Sequence, residues 1–324
     1  MSTNLLDLTY RDQPLGATLD DFGLLRPSAD SVGDREELQR RMDVDGYLYL
    51  PGLLDTEDVL AGRREIMGRL ADAGLLDSNH PPEEGVAAPP GQRGRGVGMR
   101  PITVDNPPLS RVLHQGPMMD FYRFFLGGPV RHFDYTWFRV KTPGATDPTT
   151  PHCDIVYMGR GTRRLYTSWT PFGDVPLEMG GLMVLENSHK LEELRSTYGS
   201  TDVDLYCENR NDALAIVQQA QTAGRELTRE EGQLIEWNST GAYSGDALAA
   251  RAELGGRWLT ADYKMGDLLI FCMDMMHASS DNRSDRVRIS SDSRYQLAAE
   301  AVDERWIGDD PPAHGIRAKK GMVC

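Results

Sequence analysis

The sequence predicts a mainly β protein with helices: an antiparallel β core, a helical N-terminal layer and an inserted helical segment. Three observations predict it. From about residue 130, short runs such as HFDYTWFRVK and RVRISSDSRYQ alternate apolar and polar residues, and GDLLIFC and GGLMVL are compact apolar runs, the patterns of strands. Before that point, DTEDVLAGRREIMGRLADAGLL repeats Val59, Ile66, Leu70 and Ala73 at helical spacing. Between about residues 190 and 250, DALAIVQQAQTAGRELTREEGQLIEW and SGDALAARAEL read as helical or irregular.

Each element follows in order. Residues 1 to about 33 are broken by Pro and Gly and are expected to form an arm over the body. Asp34 with Glu37 three residues on has the form of a capping box. YLYLP is a strand ended by Pro51, and Asp55 or Thr56 caps the amphipathic helix that follows. PPEEG, APPGQRGRGVG and DNPP give residues 78–108 too much Pro and Gly for regular structure, so this stretch is expected to be a loop over a site. GPMMDFYRFFLGG is a short helix with a Gly stop. The strands then run through HFDYTWFRVK, PHCDIVYMG, RRLYTSWTPFGDV, GGLMVLENSHK, RWLTADYKMGDLLIFCMDMMH and RVRISSDSRYQLAAE. The tail, RWIGDDPPAHGIRAKKGMVC, reads as extended over the surface. The expected organisation is one domain, 1–324. Residues 1–130 carry the arm, helices and Pro/Gly-rich loop, 131–300 the core with its insert at about 190–250, and 301–324 the tail.

Composition bounds the function. The 324 residues carry a formal charge of −14, which argues against nucleic acid or an anionic membrane as partner. No apolar run approaches a membrane span of about 20 residues, and the N-terminus shows no secretory signal. Cys153, Cys207, Cys272 and Cys324 form no CxxC pair and are expected to be reduced thiols of a cytoplasmic protein. Nothing decides the oligomeric state.

The chemistry lies in a spacing. His152 and Asp154 stand two residues apart in PHCDIVY, and i and i+2 on a strand share a face. His277 ends the apolar run MGDLLIFCMDMMH, where Leu269, Phe271, Met273 and Met275 share its face. Two imidazoles and one carboxylate are the facial triad of non-haem Fe(II) oxygenases, which leaves positions open for substrate and O₂. Arg288, eleven residues beyond His277, supplies a fixed cation for a dicarboxylic co-substrate. Singly, each has a bland explanation: a capping pair, a core histidine, a surface ion pair. Tyr157 and Thr167 lie on strands near the site and either packs there or touches substrate or co-substrate. RGRGVGMR, Arg93 to Arg100, is a basic island suited to a carboxylate or phosphate on the substrate, or else a solvated loop. His80, His114, His132, His189 and His314 need no role, and the insert is a candidate lid.

With those residues in place, the sequence resembles the phytanoyl-CoA dioxygenase family of Fe(II)/2-oxoglutarate oxygenases, from DGYLYLPGLLD through HCD and GGLMVLENSHK to HASSDNRSDRVRISSDSRYQ. The resemblance implies a double-stranded β-helix, a jelly-roll fold of the cupin kind. It implies iron on His152, Asp154 and His277, and 2-oxoglutarate held at its far carboxylate by Arg288 with Ser279 alongside and Trp169 lining the pocket. It further implies conversion of 2-oxoglutarate and O₂ to succinate and CO₂ while a C–H bond of a small molecule is hydroxylated. Desaturation, ring formation or epimerisation would use the same centre, and a non-catalytic metabolite-binding jelly roll is the reading from outside the enzymes. Cys153 between the ligands and the long acidic insert depart from the family pattern.

Overall fold

The computed structural model describes residues 7–16, 18–94, 102–144, 148–235 and 241–324. In chain order its strands are β1 (Thr9–Tyr10), β2 (Gln13–Pro14), β3 (Phe22–Leu24), β4 (Tyr47–Leu50), β5 (Val130–His132), β6 (Trp137–Lys141), β7 (Tyr166–Pro171), β8 (Leu182–Leu185), β9 (Leu205–Cys207), β10 (Trp258–Thr260), β11 (Leu268–Cys272), β12 (His277–Ser279), β13 (Arg288–Leu297) and β14 (Lys320–Met322). Two sheets make the core. The larger runs β4-β11-β7-β13-β5, with β6 also paired to β13, and the smaller runs β12-β8-β10-β3. All core pairings are antiparallel except β10 with β3.

Alternation along each strand divides the interior into layers. Tyr47, Tyr49, Trp169, Leu269 and Phe271 of the larger sheet meet Leu182, Val184 and Leu259 of the smaller in one cluster between the sheets. Their neighbours Leu48, Leu50, Leu268, Ile270, Ile289 and Tyr295 point the other way, under the N-terminal helices. On the smaller sheet's outer face, Met183, Leu185, Trp258 and Ala278 pack with Ile155, Val156 and the insert residues Ala247 and Ala250. This is a jelly-roll core clothed by helices on one side and by the insert on the other.

The helical layer forms where local chemistry asks for it. Asp34 accepts from the Glu37 amide at the head of Arg35–Asp45, which Gly46 ends with φ 76°. Asp55 accepts from the amides of Glu57 and Asp58 and opens Thr56–Asp72, whose Val59, Ile66, Met67 and Leu70 are fully buried. Each such side chain contributes about 1.5–3 kcal/mol of burial, and the cap about 1 kcal/mol. Gly116–Leu126 stops at Gly127 as expected. DNPP does not stay irregular: Asn106 caps the helix Pro107–His114, and its two prolines occupy the first turn, where no amide hydrogen is missed.

Further expectations are corrected. PHCDIVYMG is not a strand: His152 makes an isolated bridge, and Asp154 then heads the short helix Ile155–Met158. LLIFCMDMMH is two strands, since residues 273–276 turn between β11 in the larger sheet and β12 in the smaller. The N-terminal arm enters the core, with β3 pairing with β10 at the edge of the smaller sheet. The tail is not laid over the surface: Trp306 is fully buried, β14 pairs with β9, and Cys207 and Cys324 form a disulfide across 117 residues of sequence. Only Cys153 and Cys272 are free thiols, so the uniform reduced state gives way, and with it the reason drawn from cysteine for a cytoplasmic location. Among the described residues no helix is long and apolar enough to cross a membrane.

Candidate metal centre

His152 and His277 face each other through their backbones. The His152 amide donates to the His277 carbonyl at 3.1 Å and the His277 amide returns the bond at 2.9 Å. Directly opposed residues of an antiparallel bridge send their side chains to the same side, and the two imidazole centroids are 4.1 Å apart. His152 Nδ1 bonds the Thr150 carbonyl at 2.7 Å, and His277 Nδ1 bonds the Met275 carbonyl at 3.1 Å. With each Nδ1–H donated to a carbonyl, each Nε2 lone pair is left for a ligand.

Asp154 completes the cluster by a turn rather than by strand parity. The Ile155 amide bonds the Met273 carbonyl at 3.1 Å, which holds the chain as it bends into the helix. Asp154 Oδ1 then lies 3.7 Å from His152 Nε2 and 3.9 Å from His277 Nε2. The three ligand atoms lie within 4.8 Å of one another, and all three residues are buried. The other oxygen, Oδ2, accepts from Arg294 Nη2 at 2.9 Å and from the Thr167 hydroxyl. Burial opposes the charge on Asp154, but Arg294 and the two histidines outweigh it and hold its carboxyl below the usual carboxylate range. Burial, reinforced by His277, pushes His152 down to about 3, and burial also lowers His277. Two neutral imidazoles and one carboxylate at neutral pH are a donor set for a divalent metal.

β13 forms one wall of a cavity of about 890 Å³ in front of this cluster. Its residues alternate: Arg288, Ser290, Asp292 and Arg294 turn inward, while Ile289 and Tyr295 pack beneath the helices. Arg288 is buried, donates through Nη1 to the Ser290 hydroxyl and stands 5.8 Å from the Trp169 ring. Its Nε has no hydrogen-bond partner among the described residues. Burial pushes its pKa down to about 10, with Asp292 opposing. A buried guanidinium with an orphaned N–H is prepared for an anion. Trp169 is thus packed behind Arg288. Ser279 accepts from Lys141 Nζ at 2.7 Å and from the Thr149 amide at 3.0 Å. Thr167 stands behind Asp154 and Tyr157 lines the cavity. Trp137 stacks on Arg294 at 4.1 Å, whereas the Phe138 ring packs on Phe172. Of the basic island, Arg93 lines the cavity, and residues 95–100 lie outside the described residues.

Sequence reasoning missed Arg294, Arg139, Lys141 and His314. The first carried a signal, since it shares Arg288's parity six residues on. Arg139 and Lys141 likewise alternate with Phe138 and Val140 in WFRVK. His314 carried none, because only the folded tail brings it to the cavity, beside Tyr157 and bonded to Asp204 at 3.0 Å.

A jelly roll holding two histidines and an aspartate on one face is the framework of a non-haem metal oxygenase. The chain matches the family model described as phytanoyl-CoA dioxygenase over residues 42–290, and it belongs to that family. Solved structures share the fold at low identity. The non-heme alpha ketoglutarate dependent epimerase SnoN from nogalamycin biosynthesis is 19% identical, with 86% of this chain and 92% of that one covered at a TM-score of 0.51. The carbocyclase SnoK from the same biosynthesis is 18% identical, with 86% and 90% covered at 0.52. EctD from S. alaskensis, solved with 2-oxoglutarate and 5-hydroxyectoine, is 16% identical, with 98% and 95% covered at 0.54. No curated protein matches the sequence significantly.

Proposed function

We propose that the chain is a single-domain Fe(II)/2-oxoglutarate-dependent dioxygenase that hydroxylates a C–H bond of a small molecule, converting 2-oxoglutarate and O₂ to succinate and CO₂. The observation that carries this reading is the convergence of His152 Nε2, His277 Nε2 and Asp154 Oδ1 beside a cavity that also holds Arg288, whose Nε is unpartnered among the described residues. Family membership supports it. So do the related folds solved with Fe³⁺ and alpha ketoglutarate, as for SnoN, or with 2-oxoglutarate, as for EctD.

In this reading His152, Asp154 and His277 hold the iron, which supplies the oxidising chemistry when bound. Arg294 and Thr167 take up the second oxygen of Asp154 and so aim the first at the metal. Arg288 pairs with the far carboxylate of 2-oxoglutarate. Trp169 fixes its guanidinium from behind, and Ser279 with Lys141 closes the same end of the cavity. A second outcome at the same centre, epimerisation or ring closure, is favoured by the likeness in fold to SnoN and SnoK.

The test is an anaerobic titration with Fe(II) and 2-oxoglutarate, followed by admission of O₂. A visible charge-transfer band and iron-dependent succinate formation are expected. Metabolites that perturb the band then serve as substrates for product analysis, which separates hydroxylation from the alternatives. Absence of both band and succinate overturns the assignment.

A further inference from the structure

The charges around the cavity do not balance. Arg93, Arg139, Lys141, Arg288 and Arg294 line it. Among the described residues two carboxylates answer them, Asp154 on Arg294 and Asp292 on Arg139. Setting Lys141 aside, four guanidinium groups face two carboxylates among the described residues, an excess of two positive charges. On the proposed function, ferrous iron and the 2-oxoglutarate dianion cancel each other, so the excess persists in the loaded enzyme. A surplus of this kind in a chain of net charge −14 is a local feature. Inside a concave, low-dielectric wall it draws anions and favours an anionic occupant.

Most of these cations are already engaged. Arg294 is held by Asp154, Lys141 by Ser279 and the Ser280 carbonyl, and Arg288 is the co-substrate's partner in the reading above. Arg139 is different. Only its Nε is bonded, to Asp292 Oδ2 at 3.1 Å, and its two Nη groups have no hydrogen-bond partner among the described residues. Its side chain is 40% exposed. It sits on β6 opposite Ser290, midway between Lys141 opposite Arg288 and Trp137 opposite Asp292. Arg93 donates to two neutral carbonyls, Ala88 at 2.7 Å and Pro143 at 3.0 Å, so no carboxylate answers its charge among the described residues. Tyr135, Trp137 and Tyr157 are among the aromatic residues that line the cavity.

We propose that the substrate carries an anionic group, a carboxylate or a phosphate ester, which the open Nη edge of Arg139 receives, with Arg93 lowering its energy from the same cavity. The inference rests on the oxygenase reading and deepens it by naming a substrate class. The geometry suits either anion, because a guanidinium edge offers two parallel N–H donors.

The experiment is calorimetric titration of the full chain, loaded with Mn(II) and saturating 2-oxoglutarate, using benzoate, phenyl phosphate and neutral benzamide. Both anions bind and benzamide does not, and the tighter anion identifies the headgroup. Arg139→Gln weakens the anions about tenfold or more, and Arg139→Lys, which keeps the charge but loses the paired N–H donors, gives an intermediate loss. If Arg139→Gln fails to fold, Arg93→Gln and Arg139→Lys still read the site, with a several-fold loss expected in the first. Anions binding no better than benzamide, anions acting only by displacing 2-oxoglutarate, or an Arg139→Gln defect confined to 2-oxoglutarate overturns the proposal. Failure of the iron-loaded enzyme to consume 2-oxoglutarate overturns the oxygenase reading instead, and the calorimetry still decides the anion site.

Discussion

Two regions of this protein bury charge, and they do it oppositely. At the C-terminal tail, Arg305 meets Asp303 at 2.6 Å, Asp204 at 2.6 Å and Asp202 at 3.2 Å, Lys319 meets Asp204 at 3.0 Å, and Arg160 meets Asp202 at 2.6 Å. Three aspartates face three fixed cations, and the set is electrically closed. At the cavity, among the described residues, the four guanidinium groups of Arg93, Arg139, Arg288 and Arg294 face two carboxylates, two imidazole Nε2 atoms and Asp154 Oδ1 converge on one another, and Arg288 Nε has no hydrogen-bond partner. Burying an ion is costly unless its partner is also buried. The tail meets that cost within the chain, whereas the cavity leaves it to molecules from outside. Balanced charge marks the structural network, and an excess of one sign beside converging ligand atoms marks the site.

The comparison breaks most sharply at the metal ligands. His152→Ala is expected to abolish iron-dependent succinate formation and the rise in Tm that Mn(II) gives the wild type, while the metal-free protein stays folded. A Mn(II) shift surviving in that variant would detach the cluster from metal binding. In the closed network the effect falls on stability instead. Arg305→Met removes the cation shared by three aspartates, leaves Asp303 without an ion partner among the described residues, and should cost about 3–5 kcal/mol in urea unfolding. A change below about 1 kcal/mol would show that the network is loose.

Arg288→Gln should raise the KM for 2-oxoglutarate about a hundredfold, because it removes one member of a buried charge pair. An unchanged KM would place the co-substrate elsewhere. Cys207→Ser releases the covalent tie between β9 and β14 but leaves the ion network in place. A loss of about 2 kcal/mol is expected by equilibrium unfolding, at the low end for a long closed loop. No difference between oxidised and reduced protein would remove the tie from the account of the tail.

A pH slope is also expected in the metal-free protein. His152 is held at about 3 in the fold against an ordinary value of 6.5. Below 6.5 the unfolded chain takes a proton that the folded one refuses, so stability falls as pH drops from 6.5 toward 3. The slope from this group is about 1.4 kcal/mol per pH unit at most. Asp154, lowered below its ordinary 3.8, adds a loss of the same sign at the acid end. His152→Ala should flatten the upper part of that slope.

Much of the fold was legible because it is written locally. Asp34 and Asp55 cap the helices their sequence announces, and Leu269 and Phe271 part from Ile270 by strand parity alone. The residues proposed as metal ligands, and Arg288 after them, were named from residue type, spacing and order. What was misread concerns how those residues arrive. Strand parity was expected to bring Asp154 beside His152, but a helix start does so.

By itself the sequence determined the identity of the residues proposed to bind iron and co-substrate, the capped helices and the inward and outward faces of the strands, because these depend on side-chain chemistry and on periods of two and 3.6 residues. Only the tertiary structure decided that His152 and His277 oppose each other across a two-residue bridge, that Arg294 anchors Asp154, and that the tail returns through Cys324 to set His314 in the cavity wall. Those contacts join residues more than a hundred positions apart. They follow from how sheets, insert and tail close on one another, which no local period records.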